Sequence, residues 1–340
     1  MSASLDGYDA VLLDLDGTVI RGAEAVPEAL DVINEWRQAG RAVQFITNNA
    51  SRAPDEVAKQ LTALGVRTAA EEVVTSAQVA AALLAAQLPA GSAVLVVGAE
   101  ALIAEVQSVG LRPVFAVSQS PVAVVQGHSP ETGWVRLAEA CLAIRDGAVW
   151  VACNVDLTLP TERGLLPGNG AMVAALRAAT DREPTVAGKP ARPLLDMAVD
   201  RIGARQPLVV GDRLDTDIAG ARAAGLNSLL VLSGVADVST LLAAPPEQRP
   251  GHLGADLRVL RGSLEQTRIQ ARPGWSVELI DSGLLLYGDG SLLRSDGSVG
   301  DPLDAVRALC AAWWVEHTGP VQVYAYDAAA ATVLDMVGLG

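Results

Sequence analysis

Near its amino terminus the chain reads Val11-Leu12-Leu13-Asp14-Leu15-Asp16-Gly17-Thr18-Val19, an apolar run that opens directly onto two aspartates. A short apolar run ended by a turn glycine predicts a buried strand. Extended chain projects residues two apart from one face, so this spacing aims both carboxylates the same way, and Gly17 lets the chain turn sharply behind them. In open α/β sheets ligands bind beyond the carboxyl ends of the strands, which is where the pair falls. Two such acids repel each other, and a cation or a proton on one of them must offset the repulsion. The pair therefore reads as a metal ligand plus a general acid/base. A solitary Asp-x-Asp-Gly has a second reading, an acidic turn at a strand end with no chemistry.

Outward from this stretch the pattern repeats. A helical period follows Pro27 and stops at Gly40, Ala42 to Ile46 is apolar, and a second helix is predicted from Ala53 to Leu64. Ala93 to Gly98, Val122 to Gly127, Ala148 to Cys153, Pro207 to Gly211 and Ser228 to Leu232 are further short apolar runs, each next to a helix-like segment. Such a βαβα rhythm predicts an α/β fold with parallel sheets. Pro245, Pro246, Pro250 and Gly251 punctuate a loop, and after Leu260 the texture changes to that of a small α+β module.

With 340 residues, about two domains are expected, with room for an extra module. Half the residues are apolar and 19% charged, which excludes a disordered chain. The formal charge of −14 argues against nucleic acid or an anionic membrane as partner. Cys141, Cys153 and Cys310 are far apart and odd in number, so they are expected as reduced core thiols rather than a disulfide framework or a zinc cluster. Met1 to Asp9 carry acids where a secretory leader would carry bases, and no apolar stretch reaches spanning length; a cytoplasmic location is the expectation.

Four segments in order carry a family resemblance. Asp14-Leu15-Asp16-Gly17-Thr18-Val19, Phe45-Ile46-Thr47-Asn48-Asn49, Gly188-Lys189-Pro190 and Val210-Gly211-Asp212-Arg213-Leu214-Asp215-Thr216-Asp217-Ile218 resemble motifs I to IV of the haloacid dehalogenase superfamily of phosphotransferases. Asp14 and Thr47 are 33 residues apart, too close for a domain between them, whereas 142 separate Thr47 from Lys189. The resemblance thus implies a Rossmann-like parallel-sheet hydrolase core, 1–75 with 185–260, an inserted α/β cap of the C2 type, 76–184, and a C-terminal α+β tail, 261–340. Asn48-Asn49 and the stretch Asn154-Val155-Asp156 to Pro160-Thr161-Glu162-Arg163-Gly164 are similar to the subclass of nitrophenyl-phosphate, phosphoglycolate and sugar-phosphate phosphatases.

Phosphoryl transfer requires an in-line nucleophile, positive charge on the equatorial oxygens and a proton for the departing alkoxide. The resemblance implies Asp14 as nucleophile, through an aspartyl phosphate, and Asp16 as general acid/base. It implies Thr47, Asn48, Asn49 and Lys189 as phosphoryl-binding residues, and Asp14, Asp16 (through its carbonyl) and Asp212 as ligands of Mg²⁺, which suits a hard-oxygen set. Asp217 is read as orienting metal-bound water or Lys189, or as a helix N-terminal acid, and Asp215 as such a helix acid. In the cap, Arg163 is placed on the substrate or in a surface salt bridge; Asp156 braces the loop 154–168; His128 tunes specificity or is a plain loop histidine.

The tail resembles part of an acetyltransferase fold, as found in actinobacterial phosphatases of this subclass acting on glycerol 3-phosphate. It shows no glycine-rich pyrophosphate loop, and Trp313 and Trp314 are expected to pack. The resulting expectation is a Mg²⁺-dependent phosphomonoesterase acting on glycerol 3-phosphate, with phosphoglycolate, a sugar phosphate or pyridoxal phosphate as alternative substrates and a homodimer through the cap. A signalling receiver also uses an aspartate, a threonine and a lysine, but lacks Asp16 and the long insertion. A catalytically silent binding protein is the remaining alternative.

Overall fold

The fold, a computed structural model, is described for residues 7–161, 163–289, 292 and 300–340. Met1 to Asp6 of the leader reading, Glu162 of the cap stretch and part of the Gly-Asp turn after Tyr287 lie outside those residues. The chain divides into two compact units, 1–43 with 204–340, and 44–203.

In the first unit four parallel strands lie in the order His252–Gly254, Asn227–Val231, Pro207–Gly211 and Ala10–Asp14. Leu12 faces Val209 and Val210 faces Leu229 across the ladder. Val11, Leu12, Leu13, Leu208, Val209 and Val210 are all buried, which is why these runs carry no polar alternation: parallel strands are covered on both faces. Helix Ala29–Gln38 buries Val32, Ile33 and Trp36, one apolar stripe at helical spacing. The strand His252–Gly254, directly after the loop punctuated by Pro245, Pro246, Pro250 and Gly251, is not among the strands read from sequence. His252 is buried, its Nδ1 within hydrogen-bond distance of the Leu264 carbonyl and Thr267 Oγ1, its Nε2 3.3 Å from the Tyr8 hydroxyl.

The tail belongs to the same unit. Its sheet runs Trp275–Ile280, Gly283–Gly288, Val323–Ala325, the first pair antiparallel and the second parallel, with helices Leu303–Trp313 and Ala328–Met336. Leu284, Leu303, Val306, Leu309, Cys310 and Val333 share one continuous apolar core with Ile218, Leu230, Leu241 and Leu253. Trp314 donates its indole N–H to the Leu242 carbonyl at 3.1 Å, so the expected packing role of that tryptophan is made to the hydrolase-like segment. Arg307 lies 1% exposed within this core, its guanidinium shared among Asp301, Asp304 and the Leu253 carbonyl. A charge so buried persists only when paired and hydrogen-bonded, as here.

The second unit carries its own parallel sheet in the order Thr185–Val186, Val149–Ala152, Ala123–Gln126, Ala93–Val97, Arg112–Val114. Leu95, Val97, Val124 and Trp150 pack under helices Trp134–Arg145 and Asn169–Thr180 through Ile144, Val173 and Leu176. Strand Ala42–Thr47 pairs in parallel with Val73–Thr75, setting Thr47 opposite Thr75. The stretch 158–167, read as a loop, is instead a hairpin of Thr158–Thr161 and Gly164–Pro167. Cys141, Cys153 and Cys310 are free thiols, and burial pushes Cys153 and Cys310 well above their ordinary pKa. Among the described residues no helix is long and apolar enough to cross a membrane.

Candidate active site

The first unit gathers acids. Its strand stops at Asp14, and residues 15–20 fold into a tight turn closed by Ile20 N–H to the Leu15 carbonyl (2.9 Å) and Gly17 N–H to the Ile20 carbonyl (2.7 Å). Asp16 therefore lies beyond the extended chain, exposed, and the same-face argument drawn from sequence does not reach it. The partners of Asp14 are instead Asp212 and Asp217: one carboxylate oxygen of each falls within 4.8 Å of the others, and all three residues are buried.

The chain shapes that cluster with glycines and backbone amides. Asp212 follows strand Pro207–Gly211, and Val235 N–H donates to its Oδ2 at 2.6 Å. A methyl group on Gly17 or Gly234 would overlap the Asp212 carboxylate, so only glycine admits it from either side; Gly17 also sits at φ 90°. Ser233 Oγ donates to the Gly17 carbonyl at 2.7 Å, and the Arg21 guanidinium donates to the Ser233 carbonyl, tying the first and last walls of the cradle together. Asp217 sits on a π-helical turn, Leu214–Ile218, its Oδ2 accepting from Arg213 N–H at 3.0 Å and its side chain packed where Gly211 has no Cβ. Asp215 points outward to a bidentate pair with Arg213, in keeping with a structural role.

The second unit gathers neutral polar groups around a buried lysine. Thr47 ends its strand, and its Oγ1 accepts from Asn49 N–H at 3.0 Å. Asn48 acts as a lock: its Oδ1 accepts from Lys189 N–H (2.8 Å), and its Nδ2 donates to the Lys189 carbonyl (2.9 Å) and to Asp156 (3.2 Å). Ser76 Oγ and Asn154 Nδ2 both donate to the Asn48 carbonyl at 2.6 Å. Gly188 allows the approach, since a Cβ there would strike Asn48 Oδ1 and the Cys153 carbonyl. Lys189, its backbone fixed by Asn48, is 1% exposed. The Asp156 carboxylate accepts from Asn48 Nδ2, outside its own loop, and Asn49 Oδ1 is taken by Ser51 N–H and Oγ. His128 lies two residues past strand Ala123–Gln126, with desolvation holding its imidazole below the usual value. Arg163 is exposed in the hairpin turn, its N–H donating to Thr161 Oγ1 at 3.2 Å. Neither His128 nor Arg163 is hydrogen-bonded to Thr47, Asn48 or Lys189.

Sequence reasoning missed the supports Ser233, Gly234 and Val235 around Asp212 and Ser76 around Asn48, and it gave Asn154 no role of its own. No spacing rule points to them, because each acts through a backbone group that the fold alone brings close.

These geometries coincide with what comparison with known proteins finds. Residues 11–112 match the model of a haloacid dehalogenase-like hydrolase family, 186–260 a second model of that hydrolase type, and 272–339 a GCN5-related N-acetyltransferase-like domain. The chain is 48% identical over 339 residues to D-glycerol 3-phosphate phosphatase of Mycobacterium tuberculosis, covering 98% of this chain and 95% of the relative. It is 36% identical over 230 residues to a 5'-nucleotidase of Bacillus subtilis, covering 67% and 88%. The crystal structure of glycerol phosphate phosphatase from Mycobacterium tuberculosis in complex with magnesium superposes with a TM-score of 0.92 at 48% identity, covering 100% of both chains. By its motifs, its fold and its relatives, the chain belongs to the haloacid dehalogenase-like hydrolases.

Proposed function

We propose that the protein is a phosphomonoesterase that cleaves glycerol 3-phosphate to glycerol and inorganic phosphate. The observation that carries the chemistry is the buried trio Asp14, Asp212 and Asp217. Three carboxylates gathered this closely repel one another, so the cluster suits a divalent cation held by oxygen ligands. Asp14, Asp212 and the Asp16 carbonyl would hold Mg²⁺, with Asp217 supporting them. The ion would neutralise charge on the phosphoryl oxygens and so let an anionic nucleophile approach an anionic ester.

Each remaining step falls to the chain's own residues. An Asp14 carboxylate oxygen forms a bond to phosphorus as the ester oxygen departs, giving an aspartyl phosphate, and Asp16 transfers its proton to the departing alkoxide. Asp16, now a carboxylate, takes a proton from water as the water oxygen attacks phosphorus; the acyl-phosphate bond breaks, and Asp14 and inorganic phosphate are released. Thr47 and the Lys189 ammonium hold the phosphoryl oxygens, each such donor contributing about 3 kcal/mol to the barrier reduction. Asn48 and Asn49 shape that pocket. Exposure at the turn suits Asp16 to exchanging protons with solvent between half-reactions.

The choice of glycerol 3-phosphate rests on the near full-length likeness to a phosphatase of that name, tail included. Specificity is assigned to the cap, residues 76–184, and to His128 and Arg163 within it, since the motif residues contact only the phosphoryl group shared by all candidate substrates. Phosphate release over a panel of glycerol 3-phosphate, phosphoglycolate, sugar phosphates, pyridoxal phosphate and nucleoside monophosphates tests this. Glycerol 3-phosphate is expected to show the highest kcat/KM. Preference for another member would replace the substrate and leave the reaction; absence of phosphate release from every member would remove both.

A further inference from the structure

We infer that the first unit carries a second anion site, a cleft remote from the acid cluster that binds a small phosphonate- or phosphate-like dianion attached to an apolar body. The cleft encloses about 760 Å³ and is lined on the hydrolase-like side by Arg222, Asn227, Ser228 and Arg249, and toward the tail by Ile269 and Trp314. Asn227 pairs with Leu208 at the amino ends of two parallel strands, whereas Asp212 follows Gly211 at the opposite ends. Four residues of strand, about 13 Å, separate the two levels, so this is not part of the acid cluster.

The cleft's charge is what points to an anion. Arg249 is fastened by backbone carbonyls alone: its Nε donates to Ala244 (3.1 Å), Nη1 to Trp314 (2.9 Å) and Nη2 to His317 (2.5 Å). Its guanidinium also lies over the Trp314 ring, 5.2 Å from the centroid. A guanidinium has five N–H donors, so two remain for a ligand after these three bonds. Among the described residues neither Arg249 nor Arg222 has a carboxylate within ion-pair distance, although the chain carries 39 acidic residues against 25 basic ones. Partial desolvation, then the field of Arg222, pushes the Arg249 guanidinium below its usual value, against a smaller opposing pull from Cys310 and Glu247. Two guanidiniums thus face one space with no carboxylate in ion-pair contact, in a protein of strongly opposite sign. A doubly charged oxyanion satisfies both forks at once, and the ring of Trp314 with Ile269 and the ring of Pro250 gives its organic part an apolar wall. Because the cleft is walled by both the hydrolase-like segment and the tail, a ligand there fastens one to the other.

Phenylphosphonate is a non-hydrolysable probe with this chemistry, and methylphosphonate is its control lacking the apolar body. Titration calorimetry of the full chain in chelator, which keeps divalent cations from the acid cluster, is expected to give a Kd of roughly 0.1 to 1 mM for phenylphosphonate. Arg222→Glu and Arg249→Lys are each expected to weaken it by about tenfold or more, and removing the phenyl ring by a similar factor. Arg222 is solvent-exposed, so Arg222→Glu tests the site without disturbing the fold; unchanged hydrolysis of p-nitrophenyl phosphate confirms that. Absence of binding at roughly 10 mM, or wild-type affinity in either variant, would overturn the site. Equal affinity for the two phosphonates would overturn the apolar wall. These readouts do not depend on phosphatase turnover, so they stand or fall apart from the proposed reaction.

Discussion

The two units build their polar clusters from different materials. In the first, three acids converge, and the chain accommodates them with glycines at 17, 211 and 234 and with backbone amides from Arg213 and Val235. In the second, one lysine is buried, and the chain surrounds its backbone with a lattice of amide and hydroxyl side chains centred on Asn48. The acid cluster depends on the absence of side-chain bulk and on a cation to offset its repulsion; the lysine site depends on side chains whose hydrogen bonds are mutually satisfied. The first should therefore respond steeply to changes of charge and metal, the second to loss of geometry.

The largest effect is expected from removing the tail, because the acid cluster stands on a core the tail completes. Ending the chain at Gly262 strips Leu284, Leu303, Val306, Leu309 and Val333 from the apolar core shared with Ile218, Leu230 and Leu253, and removes the carbonyl partners Trp314 and His317 from Arg249. Each lost large apolar contact is worth about 1.5 to 3 kcal/mol, which together exceed the margin of a typical domain. Circular dichroism should show loss of cooperative unfolding and gel filtration aggregation. A cooperative transition at the full chain's midpoint would show the tail to be an independent appendage.

Next in size is Asp212→Asn. Loss of one carboxylate from the trio should weaken Mg²⁺ affinity by about 100-fold, partly recoverable at high Mg²⁺, and chelator should abolish the activity of the unmutated protein. The same change relieves mutual repulsion of the trio, so thermal stability without metal should rise rather than fall, and a lowered midpoint would contradict the electrostatic account. Asn48→Ala is the counterpart in the second unit. It leaves the Lys189 N–H and carbonyl without their side-chain partners, at about 1 to 3 kcal/mol of stability, and should lower kcat about tenfold with Mg²⁺ affinity unchanged. If instead Asn48→Ala changes metal affinity and spares stability, the division between the two sites fails. The smallest effects are expected from His128→Ala and Arg163→Ala, a shift of about threefold in the ranking of substrates with little change in phosphoenzyme formation. An equal loss on every substrate would make both residues structural.

How far the sequence reveals this comparison depends on which part is viewed. The strands ending in Asp14 and Thr47, and the strand Pro207–Gly211 that Asp212 follows, are legible because burial on both faces leaves them as short apolar runs. Asp16 is less so: alternation describes extended chain, and the strand ends two residues earlier, where hydrogen bonding of the turn takes over. Gly234 is invisible for another reason, since its close approach to the Asp212 side chain leaves no periodic trace. Nothing in the sequence reading singles out Arg307, whose buried place is set by pairing with Asp301, Asp304 and the Leu253 carbonyl. The tail's elements are legible from strand and helix periods; the surface they cover is not, because a hydrophobic stripe does not name its partner.

The central claim is that Asp14, gathered with Asp212 and Asp217, is the nucleophile of a cation-dependent phosphoryl transfer. Mass spectrometry of enzyme acid-quenched within the first turnover of glycerol 3-phosphate and Mg²⁺ tests it most directly. The account predicts one phosphoryl group on the peptide that contains Asp14, absent in chelator and absent in Asp14→Asn, with turnover in that variant reduced by about 10⁴-fold or more. A phosphoryl group on another residue, or a phosphoenzyme at unmutated levels in Asp14→Asn, would contradict it.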